Sequence, residues 1–243
     1  MKRMILFLLV CFSGSLFGEF NFIFIGPPGS GKGTLSSAMV KTHGYEQICP
    51  GDILRKHIKQ GTDLGKTIKP IVANGDYVDD EVVFRIIEEK ITHCLDGQRP
   101  FIIDGFPRSV SGVEFLNEFF KNKAVGSEIC CLHFVIDDKT CLDRICYRLV
   151  CFNCSCVFNK NTKKPKVDMV CDNCGHKLEA RLGDSRENTL KRLAYYRKNI
   201  EPMVELIGKS FKVVSLDSDD SLENILKKHK NVFELNDSSV VEK

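Results

Sequence analysis

The sequence contains neither a long hydrophobic run nor a large charge of one sign. Its N-terminal apolar stretch covers only residues 4–12, which is too short for a membrane span, because a transmembrane helix needs about 20 apolar residues. The formal net charge is only +3, so a strong non-specific attraction to nucleic acid is not indicated. No internal repeat appears along the chain. We therefore expect no stable membrane association and no nucleic-acid partner.

What the chain does have is the composition of an ordinary globular protein. Its 243 residues are 43% hydrophobic and 28% charged, enough for one large domain that carries inserted subdomains. Residues 1–18 join a basic start, the apolar stretch and a run of small residues, a pattern typical of a signal peptide. An N-terminal extension before the first strand is the alternative interpretation, and it is the one we favour.

A glycine-rich segment at 26–34, GPPGSGKGT, carries the clearest functional signal. An apolar, aromatic run at 20–25 predicts a buried strand before it, and the residues from Thr34 onward predict a helix after it. Glycines in such a turn let successive backbone N–H groups point at phosphate oxygens, while the helix dipole and a lysine add positive charge. The residues predicted to bind a nucleoside triphosphate are Gly29, Ser30, Gly31, Lys32, Gly33 and Thr34.

A magnesium ion is expected with the triphosphate, although the loop lacks the common ligand for it. The usual loop places a Ser or Thr hydroxyl directly after the lysine, and Gly33 stands there instead. Mg²⁺ would then arrive with the nucleotide and stay largely hydrated. Asp104 ends a predicted buried strand and is a candidate for ordering the waters of that ion. A helix or turn cap is the alternative role for this carboxylate.

Strands and helices alternate along the chain, which predicts an α/β fold with a parallel sheet covered by helices on both faces. Helical patterns predict a helix through 143–149 and one long amphipathic helix over Glu187–Ile207. A helical section is expected after residues 49–55, and Gly61 and Gly65 are expected to break it. The predicted strands are 20–25, 101–104, 129–136 and 211–216.

Four of the twelve cysteines form two close pairs with the spacing of a zinc site. The pattern is C-x2-C-x16-C-x2-C, and thiolates in this arrangement bind Zn²⁺ tetrahedrally and leave no open coordination position. The metal would therefore be structural, and it would supply folding energy to a segment with few core residues. Two disulfides, or a zinc ribbon that contacts nucleic acid, are the alternatives. The four candidate ligands are Cys151, Cys154, Cys171 and Cys174.

Several arginines lie near the predicted ends of helices and strands. Planar guanidinium groups match phosphate oxygens, and a site that binds two nucleotides has many phosphate charges to balance. Arg144 and Arg148 are four residues apart, so on a helix they would share one face. Taken singly, each arginine is a candidate for an ordinary surface ion pair. The set comprises Arg55, Arg108, Arg144, Arg148, Arg181 and Arg192.

From about residue 20 to residue 229, the chain resembles adenylate kinases of the long form, which carry a zinc-binding lid. The resemblance implies a P-loop NTPase-like parallel sheet with an inserted subdomain for a nucleoside monophosphate and a small zinc lid. The shared motifs are GPPGSGKGT at 26–34, GDILR at 51–55, DGFPRS at 104–109, the cysteine quartet and RLGDSRENTLKRL at 181–193. The implied core comprises 19–48, 79–146 and 185–235, the monophosphate subdomain 49–78 and the lid 147–184.

The resemblance also implies a reaction, the reversible transfer of a phosphoryl group from Mg·ATP to AMP, which yields two ADP. Transfer would be in line, and closure of the lid and the subdomain would exclude water. The catalytic residues that it implies are Lys32, Asp104, Arg108, Arg144, Arg148, Arg181 and Arg192. Besides the loop, ATP would contact Arg148, Val157 and Phe158. The residues implied for AMP are Pro50, Arg55, Asp76, Tyr77, Val78, Gly105, Phe106, Pro107, Arg108, Gly112, Arg181 and Arg192.

Three positions depart from the pattern of that family. Pro50 stands where the family has a threonine, Gly112 where it has a glutamine that pairs with adenine, and Gly183 where it has a lid aspartate. Loss of an amide that contacts a base edge weakens discrimination between bases, and Ser109 and Ser111 are candidates for taking over its role. The alternatives to an AMP kinase are therefore a kinase for another nucleoside monophosphate, and a degenerate nucleotide-binding or zinc-ribbon protein.

Partners and location follow from the same resemblance. ATP and AMP are the expected partners, Mg²⁺ bound with ATP and a structural Zn²⁺ are the expected cofactors, and a monomer is the expected state. A cytoplasmic location is expected because an enzyme that uses ATP finds little substrate outside the cytosol. Cleavage near Gly18 would leave the first strand intact, so export stays open as the alternative.

Overall fold

Seven strands in the described part of the chain form two sheets. A computed structural model describes residues 20–123, 129–219 and 222–228. The predicted N-terminal segment 1–18 and the predicted end of the core after residue 228 lie outside the described residues. The strands are β1 (Asn21–Ile25), β2 (Glu46–Ile48), β3 (Phe101–Asp104), β4 (Ile129–Val135), β5 (Arg148–Val150), β6 (Val157–Asn159) and β7 (Lys212–Asp217).

The larger sheet is parallel and has the strand order β2-β3-β1-β4-β7. Phe24 of β1 is level with Asp104 of β3 and with Leu132 of β4, so the carboxyl ends of the three central strands lie at one edge. β1 is buried along its whole length, as expected for a central strand of a sheet covered on both faces. The predicted α/β fold with a parallel sheet is confirmed.

Nine α-helices and one π-helical turn are found within the described residues. Helix α4 begins as its acidic sequence predicts: the Asp79 side chain accepts a hydrogen bond of 2.8 Å from the backbone N–H of Glu81. None of the described helices is both long and apolar enough to span a membrane. The helices are α1 (Lys32–His43), α2 (Pro50–Gln60), α3 (Asp63–Ala73), α4 (Asp80–Asp96), α5 (Val110–Lys123), α6 (Asp138–Cys146), α7 (Arg186–Tyr195), α8 (Met203–Ile207) and α9 (Leu222–Lys228).

Alternate residues of the central strands pack on opposite faces of the sheet, because side chains of a strand alternate in direction. Ile23 and Ile25 lie in a cluster with buried residues of α4, α5 and α8. Phe22 and Phe24 lie in a second cluster with buried residues of α1 and α9. Two apolar layers therefore hold the sheet, and the ends of its strands are left to position polar groups.

The prediction of a single long helix over Glu187–Ile207 is wrong, because the structure divides this segment into three parts. Helix α7 ends at Tyr195, the π-helical turn Tyr196–Ile200 follows, and α8 begins only at Met203. Pro202, just before α8, has no N–H to donate to a helical ladder. A π-helical turn of this kind is often found near a functional site.

Short strands account for two further differences from the sequence prediction. The helix predicted through 143–149 ends at Cys146, and Arg148 already belongs to β5. Arg144 and Arg148 therefore do not share a helix face. Strand β2 was not predicted, because two of its three residues, Glu46 and Gln47, are polar and no apolar run marks it.

Helices α2 and α3 form a tight hairpin. Of the two glycines predicted to interrupt this helical section, only Gly61 ends a helix. Gly61 ends α2 with a left-handed φ of 66°. Gly65 lies inside α3, and its backbone N–H donates 3.1 Å to the Thr62 side chain that caps the helix. A Cβ on Gly65 would stand 2.1 Å from the carbonyl oxygen of His57. The glycine is needed for close packing of the two helices rather than for a turn.

We predict that Gly65→Ala destabilises the protein, although alanine is the better helix former by about 1 kcal/mol. Overlap with the His57 backbone should outweigh that gain and cost about 3 kcal/mol, seen as a lower thermal unfolding midpoint. Gly61→Ala is the matched control, because nothing lies within 4 Å of its added Cβ and only about 1 kcal/mol of backbone strain is expected. An unchanged or raised midpoint for Gly65→Ala would contradict the packing argument.

Candidate active site

The glycine-rich loop joins β1 to α1 and wraps around the amino group of Lys32. Gly29 and Gly31 adopt positive φ angles of 83° and 90°, which a glycine reaches without strain. The Lys32 Nζ donates hydrogen bonds of 2.7 Å to the carbonyl of Gly26, 2.8 Å to that of Pro27 and 3.1 Å to the Ser30 hydroxyl. The loop thus fixes one cation at the positive N-terminus of a helix, which is an arrangement that binds anions.

Asp104 lies beside this lysine at the end of β3. Removal from water lowers the pKa of Lys32 to about 8, and the Asp104 carboxylate opposes that change. Burial in turn raises the pKa of Asp104, and Lys32 and a hydrogen bond from Gln47 oppose it. The Gln47 Nε2 donates 2.8 Å to the Asp104 Oδ2. Sequence reasoning missed Gln47, because it stands on the unpredicted strand β2.

Two arginines share a buried carboxylate between the small sheet and α7. Arg148 donates to Asp184 through Nε at 2.7 Å and Nη2 at 2.8 Å, and the side chain of Asp184 is only 2% exposed. Arg192 donates 3.3 Å to the same carboxylate and 2.9 Å to the carbonyl of Gly183. Arg144, from α6, donates 3.5 Å to the carbonyl of Gly29 in the loop.

A second carboxylate, Asp52 in α2, joins two further arginines. Its Oδ1 accepts hydrogen bonds from Arg55 on the same helix and from Arg181, 129 residues further along the chain. The pair with Arg181 links the α2–α3 hairpin to the segment after the cysteine quartet. Asp52 was not predicted as a site residue, since nothing local indicates a partner so far away.

Arg108, which follows β3, rests on an aromatic ring. Its Nε donates 2.6 Å to the carbonyl of Gly105, and its guanidinium carbon lies 4.7 Å from the centre of the Tyr77 ring. Its charge also reaches Lys32, whose pKa it lowers. The Tyr77 ring also contacts Tyr195 of α7, with ring centres 4.6 Å apart. No pattern in the sequence indicates a role for Tyr195.

The two positions that differ from the family pattern near Arg108 are closely packed. Pro50 is buried as the first residue of α2, where a proline fits because that N–H has no partner in a helix. A Cβ on Gly112 would stand 3.0 Å from the Pro107 Cβ and 3.2 Å from the Phe106 ring. A glycine therefore suits this part of α5 as it is packed here.

Ser109 and Ser111 are the candidates for replacing the glutamine that is absent at position 112. Both are hydrogen-bonded to a third carboxylate, Asp80. Ser109 donates 2.5 Å and Ser111 donates 2.7 Å to the same oxygen of Asp80. The Ser109 hydroxyl also accepts 3.1 Å from the backbone N–H of Gly112. Both hydroxyls therefore serve a hydrogen-bonded cluster at the start of α4 and α5.

The small sheet β5–β6 carries a separate apolar cluster beneath the cysteines. Phe158 is 5% exposed and packs with Leu149 and Leu178, and the Lys163 ammonium lies 5.6 Å from the centre of its ring. Val157 points outward and is exposed. Of the two lid residues expected near ATP, the structure thus places Phe158 inside the cluster and Val157 on the surface.

The four candidate metal ligands come together in two matching turns. In each turn the N–H of the first cysteine donates to the carbonyl five residues later, at 2.9 Å for Cys151 and 2.8 Å for Cys171. The N–H after the second cysteine, from Ser155 or Gly175, donates 2.8 Å back to the first. All four sulfur atoms lie within 4.8 Å of one another.

The sulfur separations fit one tetrahedral metal ion. Three of them are 3.3 Å, 3.4 Å and 3.5 Å, far beyond the bond of about 2.05 Å in a disulfide. Zn–S bonds of about 2.3 Å set tetrahedral S···S separations of about 3.8 Å, so a small outward shift of the sulfurs would admit the ion. The donor set, four thiolates without an oxygen, suits zinc.

A glycine-rich loop after β1, a buried acid at the end of β3 and six arginines from different segments define a P-loop protein that handles phosphates. The family model described as adenylate kinase matches residues 24–212. An adenylate kinase of Thermoanaerobacter sp. (strain X514) is 36% identical over 203 residues, which cover 84% of this chain and 93% of the relative.

Further relatives cover the chain to a similar extent. An adenylate kinase of Archaeoglobus fulgidus is 36% identical over 216 residues, 88% of this chain and 98% of the relative. One of Borreliella burgdorferi is 34% identical over 206 residues, 85% of this chain and 94% of the relative. The chain belongs to the adenylate kinase family, and as a nucleoside monophosphate kinase it uses a Mg-nucleotide.

We predict that Ser155→Gly stabilises the cysteine-bearing segment. Ser155 has a φ of 60°, and its counterpart in the second turn, Gly175, has 71°. Glycine removes a left-handed strain of about 1 kcal/mol, so the thermal midpoint should rise by about 2–4 °C. Ser155→Ala is the control, because it keeps the strain. An equal rise in both variants would show that the backbone angle is not the cause.

Proposed function

We propose that the chain transfers the terminal phosphoryl group of ATP to AMP and forms two ADP, in both directions. The observation that carries the proposal is that Arg108 and the phosphate loop both lie beside the end of β3. The Arg108 Nε donates 2.6 Å to the carbonyl of Gly105. The preceding carboxylate, Asp104, would stand 3.6 Å from a Cβ on Gly33 of the loop. Groups suited to two phosphate chains thus meet at one place. Direct transfer between them needs positioning and charge stabilisation rather than a nucleophilic side chain.

On the ATP side, the loop and Lys32 hold the phosphates. The Lys32 ammonium already occupies the centre of the loop, where it is bonded to the carbonyls of Gly26 and Pro27, and phosphate oxygens would replace part of those bonds. Bound Mg²⁺ supplies charge neutralisation to the phosphates. Asp104, fixed by Gln47 at 2.8 Å, is placed to accept hydrogen bonds from water around such an ion.

On the AMP side, Arg55 and Arg108 hold the phosphate, and the segment Asp76–Val78 lines the base. Arg108 is preorganised for this, because the Gly105 carbonyl and the Tyr77 ring fix its planar group. The family pattern also assigns Pro50, Gly105, Phe106, Pro107 and Gly112 to this side. Their tight packing gives the wall of the site its shape.

The remaining arginines close around the transferring phosphoryl group. Arg148 and Arg192 are held by Asp184, and Arg181 is held by Asp52. Each carboxylate keeps a guanidinium near the site while no phosphate is bound, and the phosphates offer the same bidentate acceptors when they arrive. The charge that develops in transfer would then meet donors already in place, as electrostatic catalysis requires.

The segment 49–78 and the segment 147–184 would act as a subdomain and a lid that close over the two nucleotides. They already touch: Arg181 pairs with Asp52, and the Lys59 ammonium lies 5.5 Å from the centre of the Phe152 ring. A closed site excludes water, which would otherwise accept the phosphoryl group. The reaction as proposed uses groups of one chain, and a monomer is the state that we propose with it.

Zinc in the cysteine quartet would have a structural role. Four thiolates complete a tetrahedral shell and leave no position for a substrate. The apolar cluster under the site is small, with Leu149, Phe158 and Leu178 as its largest members, so metal binding would supply much of the folding energy of the lid.

A kinase for a different nucleoside monophosphate is the second candidate. The observation in its favour is Gly112, which offers no side chain to a base edge, while Ser109 and Ser111 are bonded to Asp80. Discrimination would then rest on the shape of the pocket, which separates purines from pyrimidines better than one purine from another.

We predict that the purified chain, supplied with Mg·ATP and one monophosphate at a time, forms ADP fastest with AMP. Lys32→Ala should lower the rate by at least about a hundredfold, because it removes the positive charge that stabilises the transferring phosphoryl group. Lys121→Ala, an exposed lysine of α5, is the control and should leave the rate unchanged. Turnover with CMP or UMP but none with AMP would replace the proposed acceptor with another base.

We also predict that ATP affinity falls as the pH rises through about 8, the pKa of Lys32 in the free protein. Phosphate favours the charged amine, so binding is strongest below this pH, and titration calorimetry should give about tenfold weaker binding at pH 9 than at pH 7. Lys32→Arg stays charged throughout and should show a flat profile. The same slope in that variant would assign the effect to another group.

A further inference from the structure

Three flat groups from different parts of the chain lie close together. The Arg108 guanidinium lies 4.7 Å from the centre of the Tyr77 ring, and the Tyr77 ring lies 4.6 Å from that of Tyr195, tilted by 47°. Arg108 belongs to the phosphate site proposed above and Tyr77 to the base-lining segment. Tyr195, at the end of α7, is 37% exposed and belongs to neither.

One face of α7 contacts residues 73–77, which include part of the base-lining segment, at three successive points. The Asn188 side chain donates 2.9 Å to the carbonyl of Ala73, Lys191 forms an ion pair with Asp76, and the Tyr195 ring contacts the Tyr77 ring. The contacting residues of α7 are spaced by three and four positions, so they lie along a single side of the helix.

The fit at the first of these points is close. Gly75 has a φ of 75°, and a Cβ there would stand 2.9 Å from the Asn188 Cβ. The segment is therefore pressed against the helix at Asn188, and the aromatic contact at Tyr195 fixes its far end. The ring of Tyr77, which contacts both Tyr195 and Arg108, connects this constraint to the phosphate site.

We propose that Tyr195 is a positioning residue for the acceptor nucleotide, which sets the orientation of Arg108 through the ring of Tyr77. The proposal rests on the function proposed above. An aromatic neighbour restricts the tilt of Tyr77, and a cation over a ring face is attracted only when that face is turned toward it. Tyr195 thereby acts on AMP without contacting it, through a ring contact that lies on the AMP side.

The test is the steady-state kinetics of Tyr195→Ala with each nucleotide varied in turn. The KM for AMP should rise about fivefold, as expected for the loss of one aromatic pair, while the KM for ATP stays unchanged. Tyr195→Phe should restore the normal KM, because the contact uses the ring. Leu190→Ala, at an exposed residue of the same helix, is the matched control. Tyr195→Leu serves as a second variant if the alanine variant folds poorly.

A double-mutant cycle with Tyr77→Ala separates positioning through Tyr77 from a general effect on folding. In the Tyr77→Ala background, Tyr195→Ala should change the KM for AMP no further. An unchanged KM for AMP in Tyr195→Ala, an equal rise for ATP, or a full fivefold effect without Tyr77 would each overturn the proposal. Failure of the proposed function looks different, because the unmodified chain would then not turn over AMP at all.

Discussion

Positive charge concentrated around the phosphate loop is the constraint on which the rest of this site depends. Lys32 lies inside the loop, the Arg144 guanidinium donates to the carbonyl of Gly29 in that loop, and Arg108 follows β3. Two like charges 4 Å apart repel by about 4 kcal/mol at an effective dielectric constant of about 20. Three carboxylates offset that repulsion: Asp104 beside Lys32, Asp184 between Arg148 and Arg192, and Asp52 between Arg55 and Arg181.

The position of each carboxylate explains a feature of the fold. Asp104 ends a buried strand, so its charge is fixed by the sheet and by Gln47. Asp184 has a side chain that is 2% exposed, and it ties β5 of the small sheet to α7 of the core. Asp52 ties the α2–α3 hairpin to Arg181. The same ion pairs that keep the cations in place therefore also connect β5 to α7, and the α2–α3 hairpin to the segment that contains Arg181.

This arrangement suits an enzyme that must bind two highly charged nucleotides and release them. Phosphates can replace the carboxylates as partners of the arginines. The repulsion between the cations is therefore already offset in the folded protein before a nucleotide binds. The contacts of Tyr195 with Tyr77 and of Tyr77 with Arg108 add a second kind of restraint on an arginine, in which aromatic rings rather than carboxylates hold it. An aromatic contact orients a guanidinium without competing for its N–H groups, which stay available for a phosphate.

The parts of the site that the sequence predicted are those encoded locally. The loop, the strand that ends in Asp104 and the cysteine spacing each lie within a short segment, and the structure contains all three. Gln47 and Tyr195 were missed because their roles exist only when distant segments meet: β2 beside β3, and α7 beside residues 73–78.

Local patterns also misled where packing decides the outcome. Apolar periodicity continued through Glu187–Ile207, but the buried Tyr196 stands in a π-helical turn, with its hydroxyl 3.0 Å from His133. Gly65 looked like a break and is a close contact between helices instead. Neither contact can be recognised from the local pattern, because His133 and His57 lie outside the segments concerned.

The most direct measurement of the central claim is the fate of ADP when it is supplied alone with Mg²⁺. A site that holds two nucleotides and moves a phosphoryl group between them should convert ADP into ATP and AMP in equal amounts, with no free phosphate. Release of phosphate with AMP and no ATP would mean that water is the acceptor. The two-nucleotide account would then be contradicted.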